Sequence, residues 1–175
     1  MKKILLCILV LCSVAYAQKP KDWKEPKYIK SIISYYESEA NLPRGLAHCV
    51  AYSESRFNPK ARSRVVGGYR SDGLFQEYRK YLYDSPSGLG LISRFSKIPQ
   101  NKYQWDNPNH SAEVGCNYLA WLIEYWHGSV YLGVLSYTYG FENVRKLKSI
   151  DDIPKECKDY AEQVLFLLDN YKETW

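Results

Sequence analysis

Apolar residues recur along most of this chain at the spacing of a helix rather than a strand. Tyr28, Ile29, Ile32, Ile33, Tyr35 and Tyr36 share one face of a first predicted helix. Asn41-Leu42-Pro43 breaks it, and Pro43 suits the first turn of a second helix over 43–55, with Leu46, Ala47, Val50 and Ala51 facing inward. From Arg56 to Asp72 no period holds, and Pro59, Gly67 and Gly68 predict a loop. Short helices follow over 73–83 and 89–96, separated by Ser85-Pro86-Ser87-Gly88. Asn107-Pro108-Asn109 breaks the chain and caps the longest periodic segment, 111–126. His127-Gly128-Ser129 ends that helix and starts another, which runs through Tyr139 and closes at Gly140, with a further turn or two over 141–148. Asp151-Asp152 then caps a last helix in which Cys157, Tyr160, Ala161, Val164, Leu165, Leu168 and Tyr171 share a face. No run alternates well enough to predict a substantial sheet. The expected fold is a single mainly α domain with short connections.

The ends change this picture. Lys2-Lys3, the apolar run from Ile4 to Val14 and the small-residue site Ala15-Tyr16-Ala17 read as a secretory signal peptide over 1–17, too short to span a membrane comfortably. A polar lead-in over 18–27 is expected to be flexible, leaving 28–175 as the folded domain. The expected product is exported, to a periplasm or beyond, as a monomer without a stable membrane anchor. The formal net charge of +5 includes Lys2 and Lys3, so the processed chain is only modestly basic. Its cations are scattered among acids, which argues against nucleic acid as a partner. Cys49, Cys116 and Cys157 remain after processing, enough for one disulfide and an odd thiol, or for three buried thiols. His48, His110 and His127 show no metal-ligand spacing, and no metal or cofactor is expected. The chain holds 17 Tyr and 5 Trp, rings whose faces suit sugars while their polar edges stay wet. Trp121 and Trp126, inside an apolar helix, read as core. Tyr78, Tyr103 and Trp105, in loop-rich text, read as candidates for a groove.

The candidate chemistry centres on Glu54, at the end of the second predicted helix, just before Asn58-Pro59 stops it. The negative end of a helix dipole disfavours ionisation there. A carboxyl that keeps its proton near neutral pH is what a general acid needs to cleave a glycosidic bond. Around it stand four ordered segments: Glu54-Ser55-Arg56-Phe57-Asn58-Pro59-Lys60-Ala61-Arg62-Ser63, Gly73-Leu74-Phe75-Gln76, Asn109 through Gly115 to Tyr118-Leu119, and Ser136-Tyr137-Thr138-Tyr139-Gly140.

Together these segments resemble the soluble-type lytic transglycosylases, peptidoglycan-cleaving enzymes related to goose-type lysozyme, over about residues 28–145. The resemblance implies a lysozyme-like helical domain with a substrate groove. It implies that Glu54 protonates the glycosidic oxygen between N-acetylmuramic acid and N-acetylglucosamine, then takes the proton of the muramyl C6 hydroxyl, giving a 1,6-anhydro end without water. It further implies that Ser63 and Gln76 hydrogen-bond sugar, that Phe75 and Thr138 help shape the substrate site, and that Tyr137 helps hold the acid. Phe75 stands where the family has Met, and Thr138 where it has Asn. The segments 63–73 and 77–106 are longer than usual. Peptidoglycan strands are the implied partner, with a secretion or conjugation machine as a second. Two other readings compete: a hydrolysing goose-type lysozyme, for which Asp72, Glu77, Asp84 and Asp106 are the available second acids, and a wall-binding module without turnover.

Overall fold

The computed structural model describes residues 19–65, 67–83 and 90–171. The export signal expected over 1–17 and the candidate acid Asp84 lie outside the described residues. Eight α-helices run among them: α1 Lys27–Glu39, α2 Leu46–Ser55, α3 Arg79–Tyr83, α4 Leu91–Phe95, α5 Pro108–Tyr125, α6 Val130–Tyr139, α7 Phe141–Arg145 and α8 Lys155–Asp169. Two-residue strands β1 Ser71–Asp72 and β2 Glu77–Tyr78 pair antiparallel, with Asp72 opposite Glu77. The fold is mainly α, as the periodicity implies. The helix expected over 73–83 is instead a tight turn, a strand and one short helix. Two-residue strands are too brief to leave an alternating signature.

Local chemistry explains the helix boundaries. Asn107 caps α5, its side chain accepting from Asn109 N–H, with Pro108 in the first turn. Ser129 caps α6 in the same way, through Leu132 N–H. The start of α2 is satisfied from α1: the buried Glu37 carboxyl accepts from the backbone N–H groups of Gly45 and Ala47, at 2.8 and 2.9 Å. At the other end, Arg56 and Phe57 take left-handed conformations, which turns the chain out of the helix immediately after Glu54-Ser55.

The main core gathers Ile29 and Ile33 of α1, Leu46, Ala47, Val50 and Ala51 of α2, Leu119 of α5, Val134 and Leu135 of α6, and Ala161 and Val164 of α8. Each large apolar side chain fully withdrawn from water contributes roughly 1.5–3 kcal/mol. α5 packs on α1, α4 and α6, while α8 packs on α2 and α6. A smaller cluster holds Leu82, Ile92, Tyr103 and Val114, with Trp105 against it. Tyr103, expected in a groove, is therefore buried in this second core.

The lead-in over 18–27 is not loose where it is described. Trp23 is buried, stacks on Tyr52 of α2 with ring centroids 4.6 Å apart, and meets Phe57 edge-on at 5.0 Å. Asp22 accepts from the Tyr52 hydroxyl and pairs with Arg56 at 3.1 Å, and Glu25 meets His48 Nδ1 at 2.6 Å. A tryptophan amid lysines and prolines gives no periodic signal, so its docking was hidden from a pattern argument. The strap braces the back of the helix that carries Glu54. Cys49, Cys116 and Cys157 are free thiols, the first two buried among apolar neighbours.

Candidate active site

The site is assembled by short polar contacts between segments that are distant in sequence. Ser55 Oγ donates to the Leu74 carbonyl at 2.7 Å, which ties the end of α2 to the Gly73–Gln76 turn. Ser111 Oγ, on the first turns of α5, accepts from Phe75 N–H at 3.1 Å and lies 2.9 and 3.0 Å from the two Glu77 carboxyl oxygens. The Tyr137 hydroxyl of α6 donates to the Phe75 carbonyl at 2.7 Å. The Phe75 ring is fully buried against Gly115, where an added Cβ would sit 2.5 Å from it. Gly115 is thus the small position on α5 that lets the turn come close.

These contacts close one wall of a cavity of about 640 Å³ whose lining includes Glu54, Gln76, Glu77, Tyr137 and Thr138. Four of the six residues singled out in the sequence, Glu54, Gln76, Tyr137 and Thr138, line it together. Phe75 does not: its side chain belongs to the core, and its contribution is structural. Ser63 does not line it either. Its backbone N–H donates to the Ser71 carbonyl, and its Oγ accepts from Ser71 N–H at 2.9 Å, clipping the exposed loop to β1. Ser71 is the residue of that clip that reaches the cavity. The Gln76 amide nitrogen donates to the Ala61 and Gly73 carbonyls, at 3.1 and 2.9 Å, and so locks the turn while its residue borders the cavity.

Glu54 is held by a residue that the sequence argument assigned only to a packing face. Tyr160 of α8 donates its hydroxyl to Glu54 Oε1 at 2.5 Å. A tyrosine on an apolar stripe must find a partner for its hydroxyl, and that requirement was the available signal. Burial pushes the Glu54 carboxyl up to about 7, and the Tyr160 hydrogen bond opposes part of that rise. Burial is therefore the leading cause of the shift. The helix end, invoked from the sequence, serves to aim the side chain.

Glu77, on β2, is buried in the same wall. Burial pushes its carboxyl up to about 8; a backbone hydrogen bond and Ser111 lower it, while the charges of Glu54 and Asp72 raise it. Asp72, opposite it in the hairpin, is fully buried and engaged by three arginines: Arg79, Arg70 at 3.3 Å and Arg62 at 3.6 Å. It is a structural anchor and does not line the cavity. Much of the rest of the lining is aromatic, with Tyr78, Tyr81, Tyr118, Trp121, Tyr125 and Phe141, and it also includes Arg94, Glu142 and Arg145. Trp121, expected in the core, is a wall residue, whereas Trp105 lies under the Arg62 guanidinium at 3.8 Å, outside the lining.

Removing the Tyr160 hydroxyl tests its hold on Glu54. Tyr160→Phe deletes an interaction that favours the carboxylate, so the Glu54 carboxyl rises further. The expected outcome is a rate lower by about 10-fold or more at neutral pH, with the alkaline fall of the rate displaced to higher pH. A pH–rate profile distinguishes this from simple loss of packing, which would leave the position of that limb unchanged.

No curated protein matches the sequence. A family profile, the transglycosylase SLT domain, matches residues 31–159, a span that runs from α1 into α8 and contains Glu54, the Gly73–Gln76 turn, Tyr137 and all of the cavity lining. The chain belongs to this lytic transglycosylase family, whose activity is directed at peptidoglycan.

Proposed function

We propose that this protein cleaves the β-1,4 bond between N-acetylmuramic acid and N-acetylglucosamine without water, using Glu54 as acid and then as base and leaving 1,6-anhydro-muramyl ends. The observation that carries the reading is Glu54 itself, a carboxyl raised to about 7 on the wall of a glycan-sized cavity, with a tyrosine hydroxyl fixing one oxygen. Near neutral pH such a group can both give a proton and take one back. In the first step it protonates the glycosidic oxygen as the bond to C1 breaks. In the second, the carboxylate takes the proton of the muramyl C6 hydroxyl, whose oxygen closes on C1. That oxygen is already tethered to the sugar and so carries the advantage of an intramolecular nucleophile. The proposed place of action is a cell wall outside the cytoplasm, reached through the export signal read over 1–17. A secretion or conjugation machine that needs a local opening in that wall is the proposed context.

Hydrolysis is the second reading, because Glu77 lines the same cavity. A water-positioning base must be ionised while Glu54 is protonated. Glu77 does not meet that demand: burial raises its carboxyl to about 8, so near neutral pH it keeps its proton. Asp72 is engaged by arginines, and Asp106 lies outside the cavity lining. Both facts support the non-hydrolytic route.

Digestion of purified peptidoglycan in isotopically heavy water tests the choice. The expected products carry anhydro ends and no heavy oxygen at muramyl C1. Glu77→Gln, a neutral isostere, is expected to keep turnover within about 10-fold, since no proton transfer is assigned to it. Heavy oxygen in the product, abolished by Glu77→Gln, would transfer the protein to the hydrolytic branch.

A further inference from the structure

The first lysines of the domain share their stretch of sequence with acids, which cancels them in a pattern argument. The fold separates the two signs. Lys19, Lys21, Lys24 and Lys27 are all exposed, and none pairs with a carboxylate among the described residues. The acids of the same stretch are matched by the domain itself. Asp22 pairs with Arg56 at 3.1 Å and accepts from the Tyr52 hydroxyl, while Glu25, with its side chain only 2% exposed, meets His48. α1 continues the arrangement. Tyr28 and Tyr35 stand two turns apart on one face and are 57% and 59% exposed. Glu37 turns inward to hold the start of α2, so the first exposed carboxylate after Lys27 is Glu39. Trp23, packed on Tyr52 and Phe57, fixes the strap, and the lysines are therefore presented from a held backbone. None of these lysines and tyrosines lines the cavity.

We infer that Lys19, Lys21, Lys24 and Lys27, with Tyr28 and Tyr35, dock the domain reversibly on a bilayer surface that bears anionic phosphate headgroups. Lysine heads on long stems reach such a surface, and their attraction to it adds from one lysine to the next. A tyrosine has an apolar ring and a polar tip, which suits the headgroup level of a bilayer. A soluble polyanion would use the lysines and leave the rings in water. Position in the chain favours the bilayer too. The apolar run from Ile4 to Val14 ends five positions before Lys19, so passage of the chain through a membrane would bring this stretch to the bilayer surface. The inference does not depend on the role of Glu54. It assigns a place to the domain, one that leaves the cavity open to a glycan strand.

The test is co-sedimentation with vesicles, run on the full chain and on the chain from Gln18, which keeps every described residue. Three probes are compared: neutral phosphatidylcholine vesicles, vesicles with about one third phosphatidylglycerol, and soluble poly(glycerol phosphate) at equal phosphate concentration. Both chains are expected to prefer the anionic vesicles and to release them as salt rises from about 0.1 to about 0.5 M. Each lysine near an anionic surface strengthens binding by about 5-fold. Glutamine at all four positions is therefore expected to weaken binding by roughly 10²–10³-fold. Glutamine at Lys60, Lys97, Lys146 and Lys148, exposed elsewhere on the domain, makes the same change in net charge and is expected to cost only about 3-fold or less. Tyr28→Ala with Tyr35→Ala is expected to weaken vesicle binding by about 3–10-fold and to leave the soluble polymer within about 2-fold. All these side chains are exposed, so each variant should melt within a few degrees of the native protein. Equal losses from the two lysine sets would reduce the effect to net charge and overturn the patch. Binding by the full chain alone would assign it to the apolar run and overturn the patch as well. Polymer bound as tightly as vesicles, with no effect of the tyrosine changes, would overturn the bilayer as the partner.

Discussion

Glu54→Gln is expected to abolish turnover on peptidoglycan while leaving the fold intact. The amide matches the carboxyl in size and can still meet the Tyr160 hydroxyl, which donates at 2.5 Å in the native protein. It cannot give up a proton and recover it. Loss of one general acid–base group costs ~10²–10⁴-fold in rate, and here the same group serves both steps, so the upper part of that range is expected. Stability should move the other way. Burial makes the folded state bind the Glu54 proton more tightly than the unfolded chain does, with the carboxyl raised from its ordinary range to about 7. Where the folded state holds more protons, stability falls as pH rises. The native protein therefore loses stability as pH climbs from about 4.5 through about 7, and Glu77 extends the loss toward about 8. The Gln variant escapes the Glu54 share. Its melting temperature should match the native one in acid and exceed it by a few degrees above pH 8. Digestion near the native rate would remove Glu54 from the mechanism. An equal melting temperature at both ends of the pH range would mean that the carboxyl is not desolvated.

The acid and the turn that faces it were legible because each carries a local signature. Glu54 ends a helix broken by Asn58-Pro59, and Gly73-Leu74-Phe75-Gln76 stood out as a motif, although the helix expected to begin there is a tight turn in space. The long helices were legible from their period, with α5 and α6 closest to expectation, while α8 begins at Lys155 after Pro154, without the Asp151-Asp152 cap expected for it. Three features were not. Tyr160 lies 106 positions from Glu54, and its neighbours give it the look of any core-facing residue. Trp121 carries the apolar spacing of a buried helix, and only the placement of α7 turns that face into a cavity wall. The N-terminal strap docks through one tryptophan and two acids, a set of single contacts with no period for a pattern to find. The roles expected of Ser63 and Phe75 illustrate a different confusion. A residue can belong to a functional motif because it shapes the backbone there, and in this structure Ser63 clips the loop to Ser71 while the Phe75 ring anchors the turn under Gly115.

Gly73→Ala is expected to cost both stability and activity, the activity more steeply. Gly73 has φ of +84°, a left-handed conformation that a side chain disfavours by roughly 1–2 kcal/mol. The new methyl would also lie 2.5 Å from the Trp105 carbonyl oxygen and 3.1 Å from Ser111 Oγ. The first of these is backbone, so the turn itself must move. Adding that displacement brings the expected destabilisation to roughly 2–4 kcal/mol, or a melting temperature lower by roughly 5–15 °C. The damage spreads from the turn into the site. Gly73 donates its N–H to the Ala61 carbonyl and accepts from the Gln76 side chain. Ser111, the second group the methyl would crowd, holds both Phe75 N–H and the Glu77 carboxyl. A shift of even 1 Å in groups that position substrate can cost on the order of 10²-fold in rate. Turnover at 25 °C, where most of the variant remains folded, should therefore fall far more than the folded fraction does. A variant that melts lower but turns over in proportion to its folded fraction would show that the Gly73–Gln76 turn supports the domain without placing the site.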